Sequence, residues 1–203
     1  MNDASWPRLL AVDIEGNGAT PPDLVEVAVL PIRNGCFDIE AAGAWLVRPP
    51  IPVTSFATRV HKLTNDDLAD CPEWSEVAEE VNTALGDAWI CAHNASVEYR
   101  VLRRHLPAWT PAGVVDTLRL ARTTYPDATS HTLDALTEHV GLDLTRAPGQ
   151  RHRAPCDAFA AAQLLLAMAA HYSSWEELAV KGTLPGCAPS EPAARPTAPE
   201  TLF

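Results

Sequence analysis

The apolar positions in the first fifty residues form short runs and alternations that are typical of β-strands. Leu9 to Ile14 is an apolar run, and Asp23 to Arg33 alternates around three valines. A third run, Phe37 to Arg48, follows the turn signal Asn34-Gly35. Because short turns join these runs, the pattern predicts three consecutive strands in an antiparallel meander.

From about residue 72 the spacing of the apolar residues changes to that of helices. Trp74, Val77 and Leu85 lie on one face of a predicted helix, and Gly86 is suited to end it. Short apolar segments at 89–92 and 114–115 then alternate with further helical segments, predicted at 96–106, around 118–121, at 132–140 and at 157–170. A meander followed by βα units predicts an α/β fold, with helices on the faces of a mixed sheet.

The chain of 203 residues has a length that fits one compact domain. The predicted strands and helices lie within residues 1–181, which we take as that domain. Gly182 to Phe203 are rich in Pro, Ala, Ser and Thr, so this segment is predicted to be a disordered tail.

The charge of the chain limits how it could bind nucleic acid. The formal net charge is −11, which argues against a protein that coats long duplexes, because that mode needs many Lys and Arg residues on one face. A protein that grips only the end of a strand is not excluded. Carboxylates that hold metal ions contribute to the negative charge, and bound cations reverse the local potential.

Other compositional features exclude several classes of protein. The five cysteines are widely spaced and include no CxxC pair, which predicts neither a disulfide framework nor a zinc site. No stretch approaches the roughly 18 apolar residues of a membrane helix. The first eight residues lack the basic and apolar regions of a secretory signal. We therefore expect a cytoplasmic protein with no membrane partner.

Two carboxylates lie close together at the end of the first predicted strand, as Asp13 and Glu15. Side chains two residues apart on a strand point to the same face. Like charges held this close are unfavourable unless one is protonated or a cation lies between them, and Mg²⁺ or Mn²⁺ prefers such oxygen ligands. A solvated strand end is the alternative interpretation of this pair taken alone.

Two further segments place an acid in the first turn of a predicted helix. Residues 93–98 (HNASVE) contain Glu98, and residues 152–157 (HRAPCD) contain Asp157. An acid at this position also complements the helix dipole, and Asn94 could simply cap its helix. Taken singly, helix capping explains each segment.

Taken together, these segments resemble the DEDDh family of 3′-to-5′ exonucleases, which includes the proofreading subunit of the bacterial replicative polymerase, ribonuclease T and oligoribonuclease. Asp13 and Glu15 match the D-x-E of the family's first motif. His152 and Asp157 match the H-x4-D of its third motif.

The second motif matches less closely, because Glu98 stands where the family usually has Asp and Val97 where it usually has Phe. Three other segments are similar to family segments, at 59–64 (RVHKLT), 114–122 (VVDTLRLAR) and 130–142. The resemblance extends from about residue 9 to residue 170. It implies a ribonuclease H-like fold, with a five-stranded mixed sheet flanked by helices.

The resemblance also implies a reaction, the release of nucleoside monophosphates from single-stranded DNA or RNA 3′ ends with two Mg²⁺ or Mn²⁺ ions. In the family pattern Asp13 bridges both ions, and Glu15 and Asp157 complete one site. Glu98 supports the other ion largely through water. His152 is then the general base, since an imidazole titrates near neutrality.

Four residues are candidates for contacts with the substrate. Gly16 would let the backbone approach the terminal nucleotide, although a tight turn explains it equally well. Val97, in place of Phe, removes an apolar plate for a terminal base. His61 and Asn94 are further candidates, for which a surface imidazole and a capped loop are the alternatives.

The main alternative function is a catalytically impaired module that serves as a nucleic-acid-binding or protein-interaction subunit. The extra methylene of Glu98 supports it, because active sites tolerate little misplacement. A cysteine nucleophile is poorly supported, since Cys156 next to Asp157 would be a poor thiolate. The sequence does not decide whether the substrate is DNA or RNA, or in which biological pathway the chain acts. It also leaves open whether the chain forms a homodimer or binds a polymerase or repair partner.

Overall fold

The computed structural model describes residues 6–33 and 35–187 of the chain. The strands in this part are β1 (Leu9–Gly16), β2 (Leu24–Arg33), β3 (Cys36–Phe37), β4 (Gly43–Leu46), β5 (Trp89–Ala92) and β6 (Gly113–Asp116). They form one sheet in the order β3-β2-β1-β5-β6, and β4 also pairs with β2. The pairs made by β2 are antiparallel, whereas β1 with β5 and β5 with β6 are parallel. The predicted mixed sheet is confirmed.

The sheet has six strands, so the predicted number of five is wrong. The run from Phe37 to Arg48, predicted as one strand, contains β3 and β4, which follow one another along the same edge of β2. Between them the chain turns. The Ala42 N–H donates to the Ile39 carbonyl at 3.2 Å, and the Ala41 N–H donates to Asp38 Oδ1 at 3.2 Å. These local hydrogen bonds take the place of ladder bonds and split the strand.

Seven helices accompany the sheet in the described residues: α1 (Ser55–His61), α2 (Trp74–Leu85), α3 (Ser96–His105), α4 (Thr117–Thr124), α5 (Leu133–Val140), α6 (Ala154–Ala169) and α7 (Trp175–Gly182). The five predicted helices correspond to α2 through α6. Helix α6 begins three residues earlier than predicted, because Pro155 fits its first turn, where no backbone donor is needed.

Two short helices were not predicted. Helix α1 begins at the N-cap Thr54, whose side chain accepts from the Ala57 N–H, and helix α7 begins at the N-cap Ser174. In α1 the large apolar residues Phe56 and Val60 are exposed, so its sequence lacks a single apolar face. Val180 of α7 is likewise exposed, so the apolar residues of neither helix mark a single buried face.

The alternation of β1 decides which side chains face which layer. Leu9 and Ala11 pack with residues of α4 to α7, whereas Leu10 and Val12 pack on the opposite face with residues of α2 and α3. Side chains at positions 13 and 15 continue the face of Leu9 and Ala11. The carboxylate-bearing end of β1 therefore points toward α6.

Helix α6 lies close to the sheet because small residues form the contact. Ala154 and Ala158 on the helix pack against Ala28 on β2, and all three are buried. Alanine side chains allow a helix to approach the sheet backbone more closely than leucine would. This close contact is at the first turns of α6, which carry Asp157.

The first residues of the predicted tail, 182–187, are part of the described structure. Gly182 is the last residue of α7, Thr183 forms an isolated bridge with Val115, and the Leu184 N–H donates to the Val114 carbonyl at 2.9 Å. Residues 182–184 thus contact β6, and the remainder of the predicted tail from residue 188 lies outside the described residues. Among the described helices, none has both the length and the apolar character needed to cross a membrane.

Candidate active site

Three carboxylates meet at the junction of β1 and α6. Asp13 and Glu15 lie on the face of β1 that points toward α6, and Asp157 lies in the first turns of that helix. One oxygen atom of each lies within 4.8 Å of the others. The structure therefore brings together the acids of the first and third predicted motifs.

The electrostatics of this group favour a bound cation. Burial raises the pKa of Asp13 well above its usual value, and the charges of Glu98, Glu15 and Asp157 raise it further. Burial, with the charges of Asp157 and Glu26, raises the pKa of Glu15 to about 8. Burial also raises the pKa of Asp157. Carboxylates that resist ionisation together become ligands when a divalent cation neutralises them, so the three residues fit a Mg²⁺ or Mn²⁺ ion.

Glu98 approaches this group from α3 and is not one of its three members. It lies in the first turn of α3 and is only 6% exposed. Burial raises its pKa to about 8, and the charges of Asp116 and Glu15 add to the shift. Its Oε2 atom is buried without a hydrogen-bond partner among the described residues. A buried carboxylate oxygen without a partner is unfavourable, and a cation or its water would provide one.

His152 lies at the rim of the site, between two carboxylates. Its Nδ1 atom is 3.9 Å from Asp157 Oδ2, and its Nε2 atom is 3.8 Å from Asp134 Oδ2. The backbone has a positive φ of 60°, and the side chain is 48% exposed. Arg151 also contacts Asp134 and lies 3.5 Å from Asp157 Oδ1. His152 is thus close to the carboxylate group and open to solvent, as a base acting on water would have to be.

His61 and Gly16 lie together beside the end of β1. His61 is 1% exposed, so the alternative of a surface imidazole is wrong. Its Nδ1 atom accepts from the Leu63 N–H at 3.1 Å, and its Nε2 atom is buried without a partner in the described structure. Burial lowers the pKa of His61, whereas the nearby Gly16 backbone acts in the opposite direction. An imidazole whose second nitrogen has no partner among the described residues is available to a ligand.

Asn94 and Val97 form the other side of the site, in the loop and first turn that precede Glu98. Asn94 has a positive φ of 70° and is exposed, and Val97 is partly buried. Helix α3 has Ala95 as its N-cap residue, so Asn94 does not cap that helix. Its N–H donates to Asp116 Oδ1 at 3.0 Å, which fixes the turn and leaves the Asn94 side chain toward solvent.

Comparison with known proteins is consistent with this arrangement. The ribonuclease T exonuclease family model matches residues 10–165, which include every acid described above. The chain belongs to the DEDDh 3′-to-5′ exonuclease family. The ribonuclease H-like fold predicted from the resemblance is likewise confirmed.

Among the relatives of this DEDDh chain are the PolC-type DNA polymerases III of Bacillus subtilis (strain 168) and Oceanobacillus iheyensis. Each is 31% identical, over 77% and 76% of this chain respectively. The matched region is 11% of each polymerase, so the chain spans about a tenth of the length of these relatives.

Solved structures of DEDDh exonucleases share the fold. Exonuclease X, in complex with 5′-overhanging duplex DNA, is 29% identical with a TM-score of 0.72, and the match covers 85% of this chain and 98% of that chain. The nuclease domain of 3′hExo, a DEDDh family member bound to rAMP, is 16% identical with a TM-score of 0.67. The match covers 84% of this chain and 95% of that chain, and at this identity it shows only that the folds are similar.

The DEDDh site also contains polar residues that sequence reasoning missed. Glu26 on β2 forms an ion pair with Arg153, with Arg153 Nη2 2.6 Å from Glu26 Oε1. Asp116, at the end of β6, accepts from the backbone N–H groups of Asn94 and Leu118. The available signal for Glu26 was a charged residue between two valines in a buried strand, and Arg153 stood inside the third motif.

Proposed function

We propose that this chain is a metal-dependent 3′-to-5′ exonuclease that releases nucleoside monophosphates from single-stranded DNA or RNA ends. The observation that carries the proposal is the group of Asp13, Glu15 and Asp157, whose oxygens lie within 4.8 Å of one another. Three acids held this closely are suited to binding divalent cations and unsuited to packing against one another. The buried and unpartnered oxygen of Glu98 supports a second ion next to it.

The residues of the chain divide the chemistry between them. Asp13, Glu15 and Asp157 would hold two divalent cations with the help of Glu98. The bound ions would polarise the scissile phosphate and lower the pKa of an attacking water. His152, through an imidazole nitrogen, would take the proton from that water, because it is exposed next to Asp157.

His61 and Asn94 would bind the terminal nucleotide. His61 Nε2 has no partner among the described residues and can donate to a phosphate or sugar oxygen. The exposed Asn94 side chain offers both a donor and an acceptor at the other side of the carboxylates. Gly16 and Val97 would border this nucleotide without presenting a large side chain to it.

The comparisons support nucleic acid ends as the substrate and a polymerase as one context in which the chain acts. Exonuclease X was solved with 5′-overhanging duplex DNA, in which the recessed strand ends 3′. The matched PolC-type relatives are DNA polymerases. We expect the chain to act on free 3′ ends, either alone as a homodimer or bound to a polymerase or repair partner in the cytoplasm.

The test is digestion of 5′-labelled single-stranded DNA and RNA oligonucleotides with free or blocked 3′ ends, in Mg²⁺, Mn²⁺ or EDTA. We expect metal-dependent shortening from free 3′ ends by the wild type. Asp157→Asn keeps the size of the side chain and removes its charge, and we expect it to abolish the shortening. Asp143→Asn changes an exposed Asp outside the site and serves as the matched control.

The opposite outcome would favour a second function. Glu98 lies outside the group of three carboxylates, and this observation supports the impaired binding module. If the wild type cuts no strand in either metal but retains single-stranded oligonucleotides in a filter-binding assay, the exonuclease is rejected and the module is accepted. Recovery of cutting by Glu98→Asp would then identify the longer side chain as the cause.

A further inference from the structure

Glu26 is a buried acid at the edge of the site that the proposed mechanism does not use. It is only 2% exposed. Its Oε2 atom accepts from Arg153 Nε at 2.8 Å and from the Ala154 N–H at 2.9 Å, and its Oε1 atom accepts from Arg153 Nη2 at 2.6 Å. Both oxygens are therefore occupied, and the Arg153 guanidinium neutralises the charge.

The position of this pair connects the two halves of the carboxylate group. Glu26 lies directly opposite Glu15 in the antiparallel pairing of β1 with β2. Arg153 is the N-cap residue of α6, next to His152 and one turn before Asp157. The pair thus ties the strand that adjoins Glu15 to the start of the helix that carries Asp157.

Glu26 also replaces a missing helix cap. Arg153 makes no side-chain capping hydrogen bond to α6, so the first N–H groups of the helix have no acceptor from their own segment. Glu26 supplies one from β2, through the Ala154 N–H. A carboxylate at a helix N-terminus is also favourable for the helix dipole.

The backbone on the other side of Arg153 is in an uncommon conformation. His152 has a φ of 60°, which non-glycine residues adopt only where their surroundings hold them. Two neighbouring contacts hold it here. The His152 N–H donates to Asp157 Oδ1 at 3.4 Å, and the next residue is fixed by its two hydrogen bonds to Glu26.

We propose that Glu26 and Arg153 are positioning residues that hold His152 and Asp157 at the working distance from Asp13 and Glu15. This inference rests on the proposed exonuclease function. Glu26 itself does not ligate a cation, because Arg153 and Ala154 occupy both of its oxygens. Hydrogen-bonding partners of this kind orient the ligands of metal sites and tune their affinity.

The experiment compares Glu26→Gln, Arg153→Lys and Arg153→Gln with the wild type. Glu26→Gln and Arg153→Gln should lower kcat about 10- to 100-fold and weaken Mn²⁺ binding by a similar factor, with KM changed less than about threefold. Arg153→Lys keeps the charge and one hydrogen bond, so it should recover part of the loss. Mn²⁺ binding is measured by electron paramagnetic resonance without substrate.

The matched control is Arg48→Gln, which breaks the exposed ion pair of Arg48 with Glu73 at 2.9 Å. It should leave kcat and Mn²⁺ affinity unchanged. The melting temperature of each variant is first measured in EDTA. The kcat and Mn²⁺-binding assays are then made well below that temperature, so that only folded protein is compared.

Three results would overturn the proposal. In the first, the Glu26 and Arg153 variants have a lower melting temperature but keep the kcat and the Mn²⁺ affinity of the wild type. In the second, all three variants fail to fold. Either would assign the pair a structural role only. The third is equal loss in Arg153→Lys and Arg153→Gln, because then the charge and remaining bond contribute nothing. If the wild type does not cut nucleic acid, the exonuclease function fails, and the Mn²⁺ affinities still decide the positioning role.

Discussion

At the scale of single residues, Glu98 is a buried acid beside the group of three carboxylates. Its carboxylate is buried in the first turn of α3, and one oxygen has no partner among the described residues. The Glu98 charge raises the pKa of Asp13, so the two groups lie close enough to interact. A longer side chain than Asp at this position can still act on an ion through a bridging water, which absorbs small shifts.

Glu98→Gln removes the charge and keeps the size of the side chain. We expect kcat to fall about 10- to 100-fold, as for residues that act on a metal ion through water. Calorimetric titration with Mn²⁺ should show fewer bound ions than in the wild type. Glu79→Gln, at an exposed position of α2, is the control, and the prediction is contradicted if both variants keep wild-type kcat.

His152→Gln tests the proposed base. We expect kcat to fall about 10²- to 10⁴-fold, the range for loss of a general base, whereas Mn²⁺ affinity stays the same because His152 is not a proposed ligand. His171→Gln, beyond the opposite end of α6, should leave kcat unchanged. A parallel loss of Mn²⁺ binding in His152→Gln would show that His152 supports the ions instead.

At the scale of elements, the first turns of α6 position the site because alanines bring them close to the sheet. Ala154 and Ala158 contact Ala28 on β2, and Asp157 lies between them on the same helix. These alanines cover the face of the sheet on which Glu15 of β1 lies opposite Glu26 of β2. The spacing of helix and sheet therefore sets the distance between Asp157 and the acids of β1.

Ala158→Leu tests this spacing. The added atoms cannot fit between α6 and β2 without displacement, so we expect a loss of about 1–3 kcal/mol in the free energy of unfolding, measured by urea denaturation. Mn²⁺ binding should weaken as well, because Asp157 moves with the helix. Ala167→Leu places the same side chain at a partly exposed position of α6 and should change the free energy of unfolding less. Equal effects of the two substitutions would refute the close-packing argument.

At the scale of the whole molecule, acids near the metal site oppose folding when no cation is present. The pKa values of Glu15 and Glu98 are raised to about 8 from a usual value of 4.5. Between these values the folded protein binds more protons than the unfolded chain. The stability of the metal-free protein therefore falls as pH rises through this window.

We expect the melting temperature in EDTA to be several degrees lower at about pH 8.5 than at about pH 6. For a chain of this size, each kcal/mol lost from the free energy of unfolding lowers the melting temperature by about 2–4 °C. Mn²⁺ should raise the melting temperature more at the higher pH, where it does not have to displace protons. The measurement is differential scanning fluorimetry. Glu15→Gln should make the pH dependence in EDTA shallower, and a melting temperature that rises with pH in EDTA would contradict the assignment.

Much of the sheet and the main helices could be predicted from local sequence. An apolar run marked β1, alternating valines marked β2, and helical spacing marked α2 to α6, because these patterns report which side chains are buried. The split of the third predicted strand into β3 and β4 depended on a turn closed by local hydrogen bonds, which the apolar pattern does not reveal. Helices α1 and α7 were missed because each exposes at least one large apolar residue, so their apolar positions do not mark one buried face.

The sequence by itself determined the acids of the three motifs and their order, since each stood next to a strand or a helix start. Only the tertiary structure decided which of them meet. Asp157 joins Asp13 and Glu15 because β1 points its odd-numbered side chains toward α6. Glu26 and Arg153 are 127 positions apart, and no local pattern can pair residues that only the packing of a helix on a sheet brings into contact.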